Sequence, residues 1–178
     1  YNFNTKGIYV SDTSNFRIIY FPANKTNGTV VTGGNAMGLS NTQLHNQYDV
    51  YLDTYSNSLL IPNCGANNVV RSVPGAVNWT LVAGYLNGSS STTATGFACP
   101  RGINMDPMGN MYVVDRDNHR VQFFSAGENI GKTIAGTTAL LGSDASQFNW
   151  PMVVMFHSQL NLYVTDSLNN RVQKFLRY

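Results

Sequence analysis

At 178 residues the chain has ample material for a core, yet only 11% of it is charged, 11 basic against 9 acidic residues for a net +2. That balance excludes the basic footprint of a nucleic-acid binder, and the lack of any run of 18 apolar residues excludes a helical membrane span. Aromatic residues reach 12% among abundant Gly, Asn, Ser and Thr, the profile of many short strands joined by turns.

In chain order, an opening remnant at 1–4 is followed by predicted strands at 7–10, 16–21 and 29–32. The next unit reads as strands at 49–53, 58–61, 68–73 and 79–84. The clearest unit has an alternating strand at 102–106, turn residues at Pro107, Gly109 and Asn110, strands at 111–114 and 119–124, and a fourth at 132–135 closed by Gly136. The last gives 152–156, 162–165 and 171–175 and lacks a fourth strand. One stretch recurs through all four: Tyr-Val-Val-Asp at 112–115, Tyr-Val-Thr-Asp at 163–166 and Tyr-Val-Ser-Asp at 9–12, with an eroded Leu-Ile-Pro-Asn at 60–63. The key positions 12, 63, 115 and 166 are spaced by 51, 52 and 51 residues.

Four-stranded antiparallel sheets at this interval suit radial packing, each sheet covered on both faces by its neighbours. The reading is all-β: a propeller, or a partial propeller arc of about 3.5 to 4 blades at 1–34, 46–84, 99–136 and 150–178, forming a single repeat region over 1–178. Long outer loops at 36–45, 86–96 and 137–149 vary most between units, and specificity would reside there. The start at Tyr1, without Met or a signal-like segment, marks a processed form or part of a longer polypeptide.

Asn-Met-Tyr-Val-Val-Asp-Arg-Asp-Asn-His-Arg-Val-Gln-Phe-Phe at 110–124, its copy at 161–175, the Ala83-Gly84 and Ala135-Gly136 strand ends and Pro100-Arg101-Gly102-Ile103 together resemble the NHL repeat, a β-propeller module. The resemblance implies a propeller that usually closes with about six blades. It also implies a choice among RNA-binding domains, protein-interaction platforms, extracellular sensors and a zinc-dependent lyase acting on amidated-peptide precursors. With its long repeats and degenerate Asn-rich loops the chain looks similar to secreted NHL-repeat proteins of small aquatic invertebrates, which implies a secreted protein.

The triplets Asp12, Asn15 and Arg17, Asp115, Asn118 and Arg120, and Asp166, Asn169 and Arg171 read as structural: Asp accepting turn amides, Asn in the left-handed conformation, Arg returning to the carboxylate as a planar fork. A set recurring in three units is a poor candidate for a unique active site. His45, His119 and His157 occupy three different repeat positions, so metal ligation is not expected. No catalytic residue, metal or cofactor is assigned. Cys64 follows a second strand and Cys99 precedes the next first strand, positions of adjacent units on one face. They pair as a disulfide staple, the alternative being buried or free thiols. Asn24, Asn27, Asn78 and Asn87 each begin an Asn-x-Ser/Thr acceptor pattern and point to N-glycosylation and an extracellular location. The expected function is a non-enzymatic extracellular scaffold or binding module that contacts protein or glycan through blade loops. The alternatives are a self-assembling structural glycoprotein joined through its incomplete ends, a homo-oligomer or filament, and more distantly a metal-dependent lyase.

Overall fold

A computed structural model describes residues 6–157 and 159–176; the opening remnant at 1–4 and residues 177–178 lie outside the described residues. The chain divides into two compact units, Tyr1–Ser89 and Ser90–Tyr178. The first holds a three-stranded sheet, β1 (Ile8–Asp12), β2 (Arg17–Phe21) and β3 (Thr29–Gly33), and a four-stranded sheet, β4 (Tyr51–Asp53), β5 (Ser58–Asn63), β6 (Asn68–Ser72) and β7 (Thr80–Gly84). The second holds a four-stranded sheet, β8 (Pro100–Met105), β9 (Met111–Asp115), β10 (Arg120–Phe124) and β11 (Lys132–Gly136), and a three-stranded one, β12 (Pro151–Phe156), β13 (Leu162–Asp166) and β14 (Arg171–Phe175). Every sheet is an antiparallel meander with strands in sequence order, so the all-β reading with propeller-type blades stands. Within the described residues, strand limits differ from those read in the sequence by no more than two positions. No described helix is long and apolar enough to cross a membrane.

Each sheet carries one turn of 3-10 helix between two of its strands: Thr13–Asn15 between β1 and β2, Cys64–Ala66 between β5 and β6, Arg116–Asn118 between β9 and β10, and Ser167–Asn169 between β13 and β14. Each ends on a left-handed residue, Phe16, Asn67, His119 or Asn170, at φ between 51 and 53°. This corrects one expectation. Asn15, Asn118 and Asn169 close the 3-10 turn; the next residue carries the positive φ, which Asn and His accept more readily than Phe.

Packing follows the alternation of each strand. In the first unit Ile18, Leu59, Ile61 and Val70 from β2, β5 and β6 enclose Leu44 and Trp79. In the second, Val114, Val121 and Ala135 of one sheet meet Val154, Leu162 and Val164 of the other around Phe148. Burying each such aliphatic side chain contributes about 1.5–3 kcal/mol, the term that holds short strands together. Gly102 sets the approach of β8 to β12, since a Cβ there would stand 2.6 Å from the Met152 carbonyl oxygen.

Candidate functional site

The triplets draw together segments far apart in sequence. At the end of β9, Asp115 Oδ2 accepts Asn118 Nδ2 at 2.8 Å and Arg120 Nε at 2.8 Å, while Oδ1 accepts the backbone N–H of Ala98 at 2.7 Å. Arg120 then donates Nη1 to Thr92 O at 2.8 Å and Nη2 to Thr93 O at 2.9 Å and Gly96 O at 3.1 Å. Asp166 repeats the set with Asn169 Nδ2 at 2.8 Å, Arg171 Nε at 2.7 Å and Asn149 N–H at 2.6 Å. Arg171 reaches Ser143 O at 2.6 Å, Asp144 O at 2.7 Å and Gln147 O at 3.0 Å. Two expectations are corrected here. The backbone amide that Asp115 and Asp166 each accept comes from the incoming loop, not from their own turn, and only Nε of the arginine faces the carboxylate. The other guanidinium nitrogens hold loop carbonyls.

The eroded copy keeps half of this device. Asn63 Oδ1 accepts His45 N–H at 2.6 Å, and Gly65 N–H returns to His45 O at 2.8 Å, as Asp117 N–H does to Ala98 O at 3.1 Å. In place of the arginine, Trp79 Nε1 donates to Gln43 O at 2.7 Å. The corresponding carbonyls, Gly96 O and Gln147 O, also accept Gln122 Nε2 at 2.9 Å and Gln173 Nε2 at 2.8 Å. Each following residue, Leu44, Phe97 or Phe148, is fully buried as a plug beneath its loop. Sequence reasoning missed these plugs and the glutamines, although the 51-residue spacing of Phe97 from Phe148 and of Gln122 from Gln173 carries the signal.

Thus the triplets fasten loops and leave other side chains of those loops facing outward. Met37 and Leu141 occupy the same place in two of the loops, each bridging to its plug, Leu44 or Phe148. Both are more than half exposed, and Leu39, Leu86 and Leu140 are exposed beside them in sequence or in the next loop.

Electrostatics differ among the three copies. The Arg120–Asp115 pair is buried at 3% and 0% exposure, whereas Arg17 and Asp12 remain 36% and 24% exposed. Burial pushes the Asp115 carboxyl up to about 6 against the pull of Asn118, the Ala98 N–H and Arg120. Asp12 is held below the ordinary carboxylate value by Arg17 and Asn15. For Asp166 burial acts upward, but the Asn149 N–H, Asn169 and Arg171 outweigh it and the value falls.

His119 is buried, which lowers its pKa against the upward pull of Asp117 and Asp166, and its Nδ1 accepts the Trp150 N–H at 3.5 Å. His45 lies against Gly65, and His157 Nδ1 accepts the Gln159 N–H at 3.5 Å. Among the described residues no group of three or more His, Cys, Asp or Glu is placed to hold a metal ion. Cys64 and Cys99 are both disulfide-bonded. Asn24, Asn27, Asn78 and Asn87 are all exposed outside the strands, Asn27 between β2 and β3 and Asn78 at the equivalent place between β6 and β7. In the second unit a cavity of about 340 Å³ is walled by Tyr112, Phe123, Phe156 and Phe175, with Lys132 and Asp106 also lining it. Tyr112 stands edge-on to Phe156 at 4.6 Å between ring centroids.

No curated protein is similar enough in sequence to count as a match. Among solved structures, an auxiliary nutrient binding protein from Bacteroides thetaiotaomicron VPI-5482 is similar over 96% of this chain and 45% of its own, at 15% identity and TM-score 0.72. A streptogramin B lyase matches 96% of this chain and 48% of its own, at 11% identity and TM-score 0.63. A chain of a nidogen/laminin complex matches over 97% and 76%, at 18% identity and TM-score 0.61. The chain thus spans less than half the length of the first two, and identities this low speak for the fold alone. Residues 97–124, which include the most fully fastened Asp-Asn-Arg triplet, match the family model of the NHL repeat.

Proposed function

We propose that the chain is a non-enzymatic extracellular binding module that contacts a protein or glycan partner through the loops preceding its sheets. The observation that carries this reading is the fastening of those loops. Buried plugs, with Trp79 in one loop and arginines and glutamines in the other two, fix the loop backbone from beneath, while Met37, Leu140 and Leu141 remain exposed. Loops held in one conformation lose little entropy on binding, and exposed apolar side chains on a fixed backbone are what a recognition surface requires. The polar triplets, the natural suspects for chemistry, are consumed in holding backbone carbonyls and amides. The fold is shared with a protein named for nutrient binding and with a chain of a nidogen/laminin complex, and it is shared as well with a lyase. The extracellular assignment rests on the disulfide and the four exposed acceptor asparagines.

The test is binding of the intact chain to a glycan array and to extracellular-matrix proteins. Met37→Ser and Leu141→Ser should weaken the interaction while leaving thermal stability unchanged. Binding untouched by both, or turnover of a substrate that requires Asp115 or Asp166, contradicts the reading. A self-assembling structural glycoprotein is the second reading, and among the described residues two of the four sheets have three strands. Sizing of the purified chain separates them: monomers fit the module and regular polymers fit the assembly.

A further inference from the structure

Three of the sheets close on a last strand that pairs on one side only. β3, β7 and β11 each stand at the end of their sheet, and among the described residues no strand lies beyond them. All three are set in the same register: Thr29 opposite Tyr20, Thr80 opposite Arg71 and Lys132 opposite Phe123, then Val30 opposite Ile19, Leu81 opposite Val70 and Thr133 opposite Gln122. An edge of this kind offers a row of backbone N–H and C=O groups to any strand that approaches, so sheet proteins blunt their edges, a lysine being a common means.

Only β11 has the lysine. It reads Lys-Thr-Ile-Ala-Gly, with Lys132 exposed and the polar Thr133 beside it, whereas β3 (Thr-Val-Val-Thr-Gly) and β7 (Thr-Leu-Val-Ala-Gly) hold no charged residue. At the position of Thr133 these two carry apolar side chains, Val30 at 48% exposure and Leu81 at 37%. Arg71, across from Thr80, is held by Asp53 at 2.9 Å. Uncharged runs without proline and rich in strand-forming residues, lying on an open edge, are what joins one molecule to another strand by strand.

In place of the charge, β3 and β7 each begin on the last residue of an acceptor pattern. Asn27-Gly28-Thr29 leads into β3 and Asn78-Trp79-Thr80 into β7, with both asparagines and both threonines exposed; the matching residues at the start of β11 are Ile130, Gly131 and Lys132. Acceptor and lysine thus replace one another at a single place in the repeat. The two edges without charge begin with an acceptor, and the edge with charge does not. Paired strands lie about 4.8 Å apart, so a branched oligosaccharide rooted two residues before the first threonine of the strand occupies the space an incoming strand would need.

From this we propose that the N-glycans of Asn27 and Asn78 are edge guards, which keep β3 and β7 from pairing with strands of other molecules as Lys132 keeps β11. The other acceptor sites do not adjoin a strand start: Asn24 lies earlier in the turn between β2 and β3, and Asn87 lies past the far end of β7. The inference rests on the glycosylated, extracellular reading above and adds the task that two of the sugars perform.

The experiment is sedimentation of the secreted chain and its variants over a range of concentrations, with the glycan mass of each read by mass spectrometry. Thr80→Ala and Asn78→Gln both remove the acceptor at β7 and should associate, the average mass rising at least about twofold over the parent, the step of one added copy, with new amide-exchange protection at residues 80–83. Thr80→Lys removes the same acceptor but supplies the charge, and should sediment as the parent does. Asn87→Gln, which strips a glycan from a loop, should also match the parent. On β11, Lys132→Thr should associate, and adding Ile130→Asn, which completes an acceptor pattern there, should restore the parent's behaviour. This pair decides the matter where the Thr80 variants are not secreted. Association of Thr80→Lys equal to that of Thr80→Ala, or none by either Thr80→Ala or Lys132→Thr, would overturn the proposal and leave the extracellular reading standing. Parent protein with bare Asn27 and Asn78 would overturn it together with the main support for secretion.

Discussion

Replacing Arg120 by methionine keeps the aliphatic reach of the side chain and removes the guanidinium. The Asp115 carboxylate then stays buried at 0% exposure with its cation gone, and Thr92 O, Thr93 O and Gly96 O lose their donors. Breaking a buried ion pair from one side costs about 3–5 kcal/mol. The freed carbonyls lie on a loop that can open to water, so they add little, and the expected loss is about 4 kcal/mol. For a chain of this length that corresponds to a Tm lower by roughly 10 °C. Arg171→Met should be milder, about 2 kcal/mol, because the arginine is already 31% exposed and its vacated carbonyls are nearer solvent. Arg17→Met, at an exposed pair, should leave the urea midpoint where it was. Urea unfolding of the three variants therefore yields an ordered series from one motif. Equal losses at all three positions would refute the argument that burial and loop contacts set the value of each triplet.

Other outcomes follow from the same geometry. Gly136→Ala forces a side chain into φ +83° against His119 O and should cost more than the ordinary glycine-to-alanine change, read by thermal unfolding. Asp12, Asp53 and Asp166 all have folded pKa values below the ordinary 3.8. Their stabilisation is complete above that value and is lost as pH falls through the lower folded values, so the urea midpoint should drop as the pH falls below 3.8. Asp166→Asn should shrink that drop. A thiol assay on native, unreduced protein should find no reactive group, and reduction should cost about 2–5 kcal/mol. Mass spectrometry of secreted material should show glycan mass at Asn27 and Asn78, removable by amidase; bare asparagines at all four acceptor sites would remove the main support for secretion.

Much of the fold was legible because the repeat writes it four times. Turn residues, period-two alternation and an interval near 51 residues fix strand order without reference to distant contacts. The polar triplets were legible as structural for the same reason, since a set present in three sheets cannot be a single active site. Their partners were not. Asp115 meets Ala98, 17 positions earlier, and Arg120 meets carbonyls of residues 92–96, whose side chains carry no recurring signature. A backbone carbonyl is the same in every residue, so a site built from main-chain groups leaves its mark only on the side chains that seek it. The left-handed position was misplaced by one for a related reason: Asn118 is chosen for its amide donor, and the strain falls on His119. Trp79 shows how one function moves between residues, its indole N–H taking the carbonyl that arginine and glutamine hold elsewhere.

Amide hydrogen exchange of the intact chain with and without Arg120→Met asks whether the triplets are fasteners for loops. Protection at Ser91 and Ala98, whose N–H groups bond Phe97 O and Asp115, should collapse in the variant, while residues 137–149, held by Arg171, keep theirs. Unchanged exchange across residues 90–98 would contradict the account, since the arginine would then be holding nothing.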